Sequence, residues 1–155
     1  MRFLIKDFFE EREEIILDLL NNKKSIADIS HENLSDLYDR GYYLFTSGRF
    51  EDALTVFQVL NRIQPNVAHY WRALGAINQQ LEYYNHAIES YDKAIKLNKN
   101  DIISYVYRAE CKILSGYLVS AVEDFKKVTE LGAENPADRS WVKKAKLLIE
   151  IHSKK

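Results

Sequence analysis

The sequence predicts an all-α fold of tandem helix pairs, and three observations carry that prediction. Glycine and proline are scarce, five and two in 155 residues, so few positions interrupt a helix. Apolar residues recur at three- and four-residue spacing over long windows, which is the period of an amphipathic helix and not of a strand. The chain also repeats itself at one fixed step, the distance in sequence from Gly41 to Gly75 and from Gly75 to Ala109. Gly41, Gly75 and Ala109 form a column of small residues, Ala53, Ala87 and Ala121 form a second, and the aromatics Phe57, Tyr91 and Phe125 form a third. Leu37, Trp71 and Tyr105 add a column of large apolar residues, and Leu60, Ala94 and Val128 add a fifth column. Small residues let two helix backbones approach while their large neighbours fill the gaps, so the columns are a packing code. They divide residues 30–135 into three helix hairpins, over 34–67, 68–101 and 102–135.

Ahead of the repeats, residues 1–29 form a separate segment. Leu4, Phe8, Ile15, Ile16, Leu19 and Leu20 line one side of a helix over 1–22, with Glu10, Glu11, Glu13 and Glu14 on the other. Phe3, Ile5 and Phe9 add more apolar surface than one stripe buries. Such a helix docks on the first repeat or pairs with a second copy of the chain. The second arrangement is expected, with Leu4, Phe8, Ile15, Ile16 and Leu19 as a homodimer interface. Residues 23–30 read as a polar joint. Within the repeats, Ser47-Gly48, Gly116 and Gly132 stand where a left-handed glycine closes a helix. Asn135-Pro136 then offers an N-cap followed by a proline suited to a first turn, which predicts a last helix from about Pro136 to His152. Trp141, Ala145, Leu148 and Ile149 fall on its inner side and Lys143, Lys144, Lys146 and Glu150 on its outer side, so residues 136–155 are expected to cap the stack.

Composition excludes several function classes. The chain is 46% hydrophobic and 29% charged, too apolar for intrinsic disorder. Its net charge of -1 gives no general attraction to nucleic acid or anionic lipid, and the acidic face of the first helix argues against membrane binding. The longest run without a charged residue is Ile113 to Val122, half of what a spanning helix needs, and Lys6 and Asp7 interrupt any apolar signal core. A lone cysteine, Cys111, fits a reducing compartment, so the cytosol is expected. The histidines His31, His69, His86 and His152 are scattered, and no zinc-protease, phosphate-loop or nucleophile-elbow motif occurs. No enzyme activity, cofactor or metal is expected.

The expected working surface is the concave side lined by the first helix of each pair. In the first block this brings Ser35, Tyr38, Tyr42, Phe45 and Thr46 to the groove. The second block contributes His69, Arg72, Ala76, Gln79 and Gln80, and the third Ile103, Val106, Glu110, Ile113 and Leu114. Tyr38, Tyr42 and Phe45 lie at i, i+4 and i+7, an aromatic stripe outside the packing columns. Either the N-terminal helix covers these rings as core, or they receive an extended, proline-containing peptide. Three neighbouring helices span roughly 16 to 20 Å, close to the reach of about six extended residues.

The blocks resemble tetratricopeptide repeats, whose pattern runs from a large residue through Leu-Gly, Ala and an aromatic to Pro. The second block matches best, with Trp71, Leu74-Gly75, Ala87, Tyr91 and Ala94, whereas only the first block keeps the final proline, Pro65, where the others have Lys99 and Ala133. A closer resemblance lies in Leu37-Tyr38, the run Gly48-Arg49-Phe50-Glu51-Asp52-Ala53, Val56-Phe57-Gln58-Val59-Leu60, Leu74-Gly75-Ala76 with Gln79, and Ala109-Glu110-Cys111. These are similar to the class II translocator chaperones of bacterial type III secretion, the SycD/LcrH-like family, over about residues 30 to 130. That resemblance implies a cytoplasmic chaperone that binds hydrophobic translocator subunits before export without ATP, often as a dimer. It also implies a groove for a Pro-x-Leu-x-x-Pro client segment. By position the contacts would be Tyr38, Tyr42, Phe45, His69, Arg72, Ala76, Gln79 and Val106, with Gln80 and Glu110 completing the lining and Arg72 and Gln79 bonding the client backbone. The alternative is a general repeat adaptor. One that clamps a C-terminal carboxylate needs Lys and Asn where this chain has Tyr38 and Tyr42.

Overall fold

Each of the packing columns has a physical counterpart in the fold. The computed structural model describes residues 31–133 and 135–154. The expected helix over 1–22, the joint after it and the interface residues Leu4, Phe8, Ile15, Ile16 and Leu19 lie outside that range. Among the described residues there are seven α-helices, one short 3-10 turn and no strand.

The chain divides into two compact units, Met1–Pro65 and Asn66–Lys155. The first unit holds α1 (His31–Thr46) and α2 (Phe50–Ile63), packed on each other. Gly41 permits the approach: a Cβ there would lie 2.7 Å from Phe57 Cε2 and 2.9 Å from Val56 Cγ1. Ala53, Phe57 and Leu60 are buried opposite it.

The second unit holds α3 (Ala68–Gln80), α4 (Tyr84–Leu97), α5 (Ile102–Leu114), α6 (Leu118–Leu131), a 3-10 turn (Pro136–Asp138) and α7 (Arg139–Ser153). Helix α4 packs against both α3 and α5, and α6 against both α5 and α7, so each second helix is shared by two first helices. Gly75 is again the point of contact, since a Cβ there would stand 2.6 Å from Tyr91 Cε1. Ile102, Val106, Ala109, Ala121, Phe125, Val128 and Ala145 form the main apolar cluster, onto which Trp141, Leu148 and Ile149 of α7 fold as their spacing predicted. A second cluster joins Ala87, Tyr91 and Cys111. Cys111 is wholly buried, and burial followed by the nearby Glu110 carboxylate pushes its thiol up to about 12.

Charge as well as apolar packing ties these helices together. Arg108 Nε and Nη2 donate to Asp124 at 2.9 and 2.5 Å, Lys112 Nζ donates to Asp124 at 2.8 Å, and Arg108 Nη1 reaches Asp92 at 2.6 Å. Asp124 is buried, so one carboxylate on α6 bridges two cations of α5 away from bulk water, and Asp92 supplies the second negative charge.

The turns between paired helices show a column that the sequence hides. Gly48 and Gly116 take φ of +75 and +84, the left-handed conformation expected of them. Midway between them in sequence, one repeat from each, Glu82 takes φ 61 with a side chain attached. A non-glycine residue there costs about 1 to 2 kcal/mol. Glu82→Gly is therefore expected to raise stability by about 1 kcal/mol, read as a higher midpoint in urea unfolding with unchanged slope. Gly132 departs from expectation. Its φ is -91, and it is small because α7 passes close by, a Cβ lying 2.5 Å from Val142 Cγ2. The last helix also starts later than expected. Asn135 Oδ1 does cap by accepting from Ala137 N at 3.1 Å, but the turn it caps is 3-10, and the α-helix begins only at Arg139.

Candidate functional site

In the first unit the three rings of the aromatic stripe have different surroundings. Tyr42 is 56% exposed. Tyr38 is half-buried and meets Phe57 edge-on at 5.7 Å, so it belongs partly to the packing it was expected to stand outside. Phe45 is half-buried and tilts against Phe50 at 5.7 Å. Tyr43, which the repeat geometry did not select, is exposed beside Tyr42.

In the second unit the first-helix faces carry a connected polar row. Tyr91 Oη, from α4, donates to Gln79 Oε1 at 3.0 Å, and Gln79 Nε2 faces Glu110 Oε2 at 3.5 Å. Glu110 in turn is paired with Lys144 of α7. Burial pushes the Tyr91 hydroxyl far above its ordinary value, so it remains a donor and orients the Gln79 amide. Arg72 Nη1 bonds Asp101 Oδ1 at 3.0 Å, while Asp101 caps α5 by accepting from Ser104 N at 3.3 Å and Ser104 Oγ at 2.7 Å. Arg72 thus serves first as a strut from α3 to the start of α5. His69 and Gln80 are exposed, and Ala76 is half-buried. Desolvation of the His69 ring, and then the Arg72 guanidinium, hold its pKa below the ordinary value, which leaves it uncharged at neutral pH.

Two assignments require correction. Val106 is fully buried in the main apolar cluster and offers no surface to a ligand, because its helix turns that position toward α6 and not outward. Lys144 is not on a purely outward side, since it reaches back to Glu110 across adjoining helices. The signal for it was available: Lys144 stands one repeat after Glu110, as Trp141 does after Tyr107, and those two rings meet at 5.9 Å. Extending the period by one more step would have found both contacts.

Known proteins share these features. The tetratricopeptide repeat family model matches residues 68–101, the block whose columns are most complete. The low calcium response locus protein H of Yersinia pseudotuberculosis is 28% identical over 125 residues, covering 81% of this chain and 74% of that protein. The chaperone SycD of Yersinia enterocolitica, solved with a peptide of the translocator YopD, superposes with a TM-score of 0.78 at 27% identity over 81% of this chain and 96% of that one. PcrH, solved with the chaperone binding region of PopD, gives a TM-score of 0.77 at 28% identity over 81% and 95% of the two chains. SycD has also been solved as an alternative dimer. The repeating packing code, the paired helices it builds and these likenesses over four fifths of the chain agree: the chain is similar in sequence and fold to the SycD- and LcrH-type chaperones of type III secretion, with a tetratricopeptide repeat at 68–101.

Proposed function

We propose that this chain is an ATP-independent chaperone of the bacterial cytoplasm that holds translocator proteins of type III secretion before their export and performs no catalytic step. The observation that carries this reading is the likeness to SycD and PcrH, each solved with a piece of a translocator. The client contacts follow on each unit separately. On the first, Tyr42 offers an open ring flanked by Tyr38 and Phe45, a surface that suits proline and apolar side chains of an extended segment. On the second, His69, Arg72, Gln79, Gln80 and Glu110 present polar groups to a client backbone beside the small side chain of Ala76, with Gln79 held in orientation by Tyr91. Residues 1–22 join two copies through Leu4, Phe8, Ile15, Ile16 and Leu19.

Calorimetric titration with a peptide from the chaperone-binding region of the cognate translocator tests the client contacts. Tyr42→Ala is expected to weaken binding more than about tenfold, in the range of an interface anchor, while the melting midpoint stays within about 1 °C because the ring is exposed. Unchanged affinity would remove Tyr42 from the contact. Deleting residues 1–22 is expected to convert dimer to monomer in light scattering, and an unaltered mass would remove the interface.

A further inference from the structure

In the second unit, one face of each first helix receives the second helix of its own pair. On α5 that face includes Tyr105 and Ala109, which pack with Ala121 and Phe125 of α6, and Lys112, whose ammonium meets Asp124 of α6 at 2.8 Å. Moving these three positions forward by one repeat gives Arg139, Lys143 and Lys146 on α7. The shift is physical as well as arithmetic, because the contacts Tyr107 to Trp141 and Glu110 to Lys144 both join residues separated by that same step. Helix α7 therefore runs parallel to α5 and in repeat register, and its face bearing Arg139, Lys143 and Lys146 is the one a further second helix would cover. No described residue covers it. The site is an open cavity of about 390 Å3, walled by those three cations and floored by Val142, Thr129 and Gly132.

The charges say what would fit there. Arg139, Lys143 and Lys146 stand at i, i+4 and i+7, so they form one exposed stripe of like charge, which is unfavourable unless balanced. None of the three meets a carboxylate among the described residues, whereas Lys144 on the same helix and Lys154 just past its end pair with Glu110 and Glu150. Lys146 occupies the repeat position of Lys112, whose counter-charge comes from the second helix of the pair. We propose that this face of α7 receives an acidic helix of a partner protein, whose carboxylates meet Arg139, Lys143 and Lys146 and whose small apolar side chains rest on Val142, at a wider spacing than the helix pairs within the chain because Lys143 stands where they have a small residue. Nucleic acid fits less well, since three cations on one helix flank an apolar floor with no ring for a base to stack on. This inference stands apart from the client contacts above.

The probe is a fluorescent synthetic peptide of about 18 residues, helix-favouring, with glutamates on one face and alanines on the other, titrated against the full chain by anisotropy. Saturable binding is expected, weakened about tenfold or more by K143E/K146E and by raising salt from about 50 to about 300 mM. K96E/K99E makes the same change of charge at exposed positions elsewhere and is expected to leave binding unaltered. Should K143E/K146E lose its helical spectrum, K143Q/K146Q supplies the same comparison with a smaller expected loss. Absence of saturable binding, an equal loss in both double variants, or tighter binding of duplex DNA than of the peptide would each overturn the proposal. So would a fall in the mass of the peptide-free chain caused by K143E/K146E alone, which would assign the face to a second copy.

Discussion

Asp124→Ala is expected to destabilise the protein by about 3 to 5 kcal/mol, the cost of removing one side of a buried ion pair. The magnitude follows from what remains behind. Arg108 and Lys112 keep only 15% and 12% side-chain exposure, and Asp92, the other acid within reach of Arg108, is on the exposed flank. Without Asp124, Lys112 has no carboxylate partner among its described ion pairs, and two cations repel in a poorly solvated site. Urea unfolding followed by circular dichroism measures the loss, and Asp124→Asn separates its causes. An amide keeps the shape and can still accept a hydrogen bond, so a comparable loss in both variants would identify charge as the dominant contribution. A loss below about 1 kcal/mol in both would show that water reaches the cations after all.

Phe125→Ala is expected to cost about 3 to 5 kcal/mol for a different reason, because the void it leaves is lined by groups that cannot collapse into it. Phe125 is fully buried in the cluster of Ile102, Val106, Ala109, Ala121, Val128 and Ala145, where the three alanines have no side-chain length to reach into the space of a ring and the longer side chains are already held in packing. Against a typical stability of about 5 to 15 kcal/mol, either substitution approaches the limit of a folded chain. Phe125→Leu restores most of the volume and is expected to recover more than half of the loss, which thermal melting of the pair of variants would read.

The packing columns were legible because they obey one local rule repeated at one period. Gly41 and Gly75 are small since Phe57 and Tyr91 lie where their Cβ atoms would be, and the same period names all four residues. Function-bearing groups were less legible, because their roles depend on neighbours far away in sequence. Arg72 reads as a free guanidinium until Asp101, at the far end of the same block, is found to hold it. Val106 reads as a groove residue by position, yet the cluster around Phe125 takes it inward. Gly132 reads as a left-handed stop because the sequence does not reveal Val142 against it. Glu82 gives no warning at all, since a glutamate carries no mark of positive φ, and only its place in the column of Gly48 and Gly116 exposes the strain. Lys144 could have been found, had the period been carried past the third block.

The burial of Cys111 makes the molecule its own reporter. It is the chain's single thiol, shut between Ala87 and Tyr91 and too weakly acidic to react at neutral pH while the second and third helix pairs remain in contact. Any alkylation by a maleimide must therefore wait for those pairs to part, and the labelling rate becomes a clock for that opening. A client that braces the helices will slow the clock, and one that pries them apart will quicken it, with no cysteine having to be engineered into the protein.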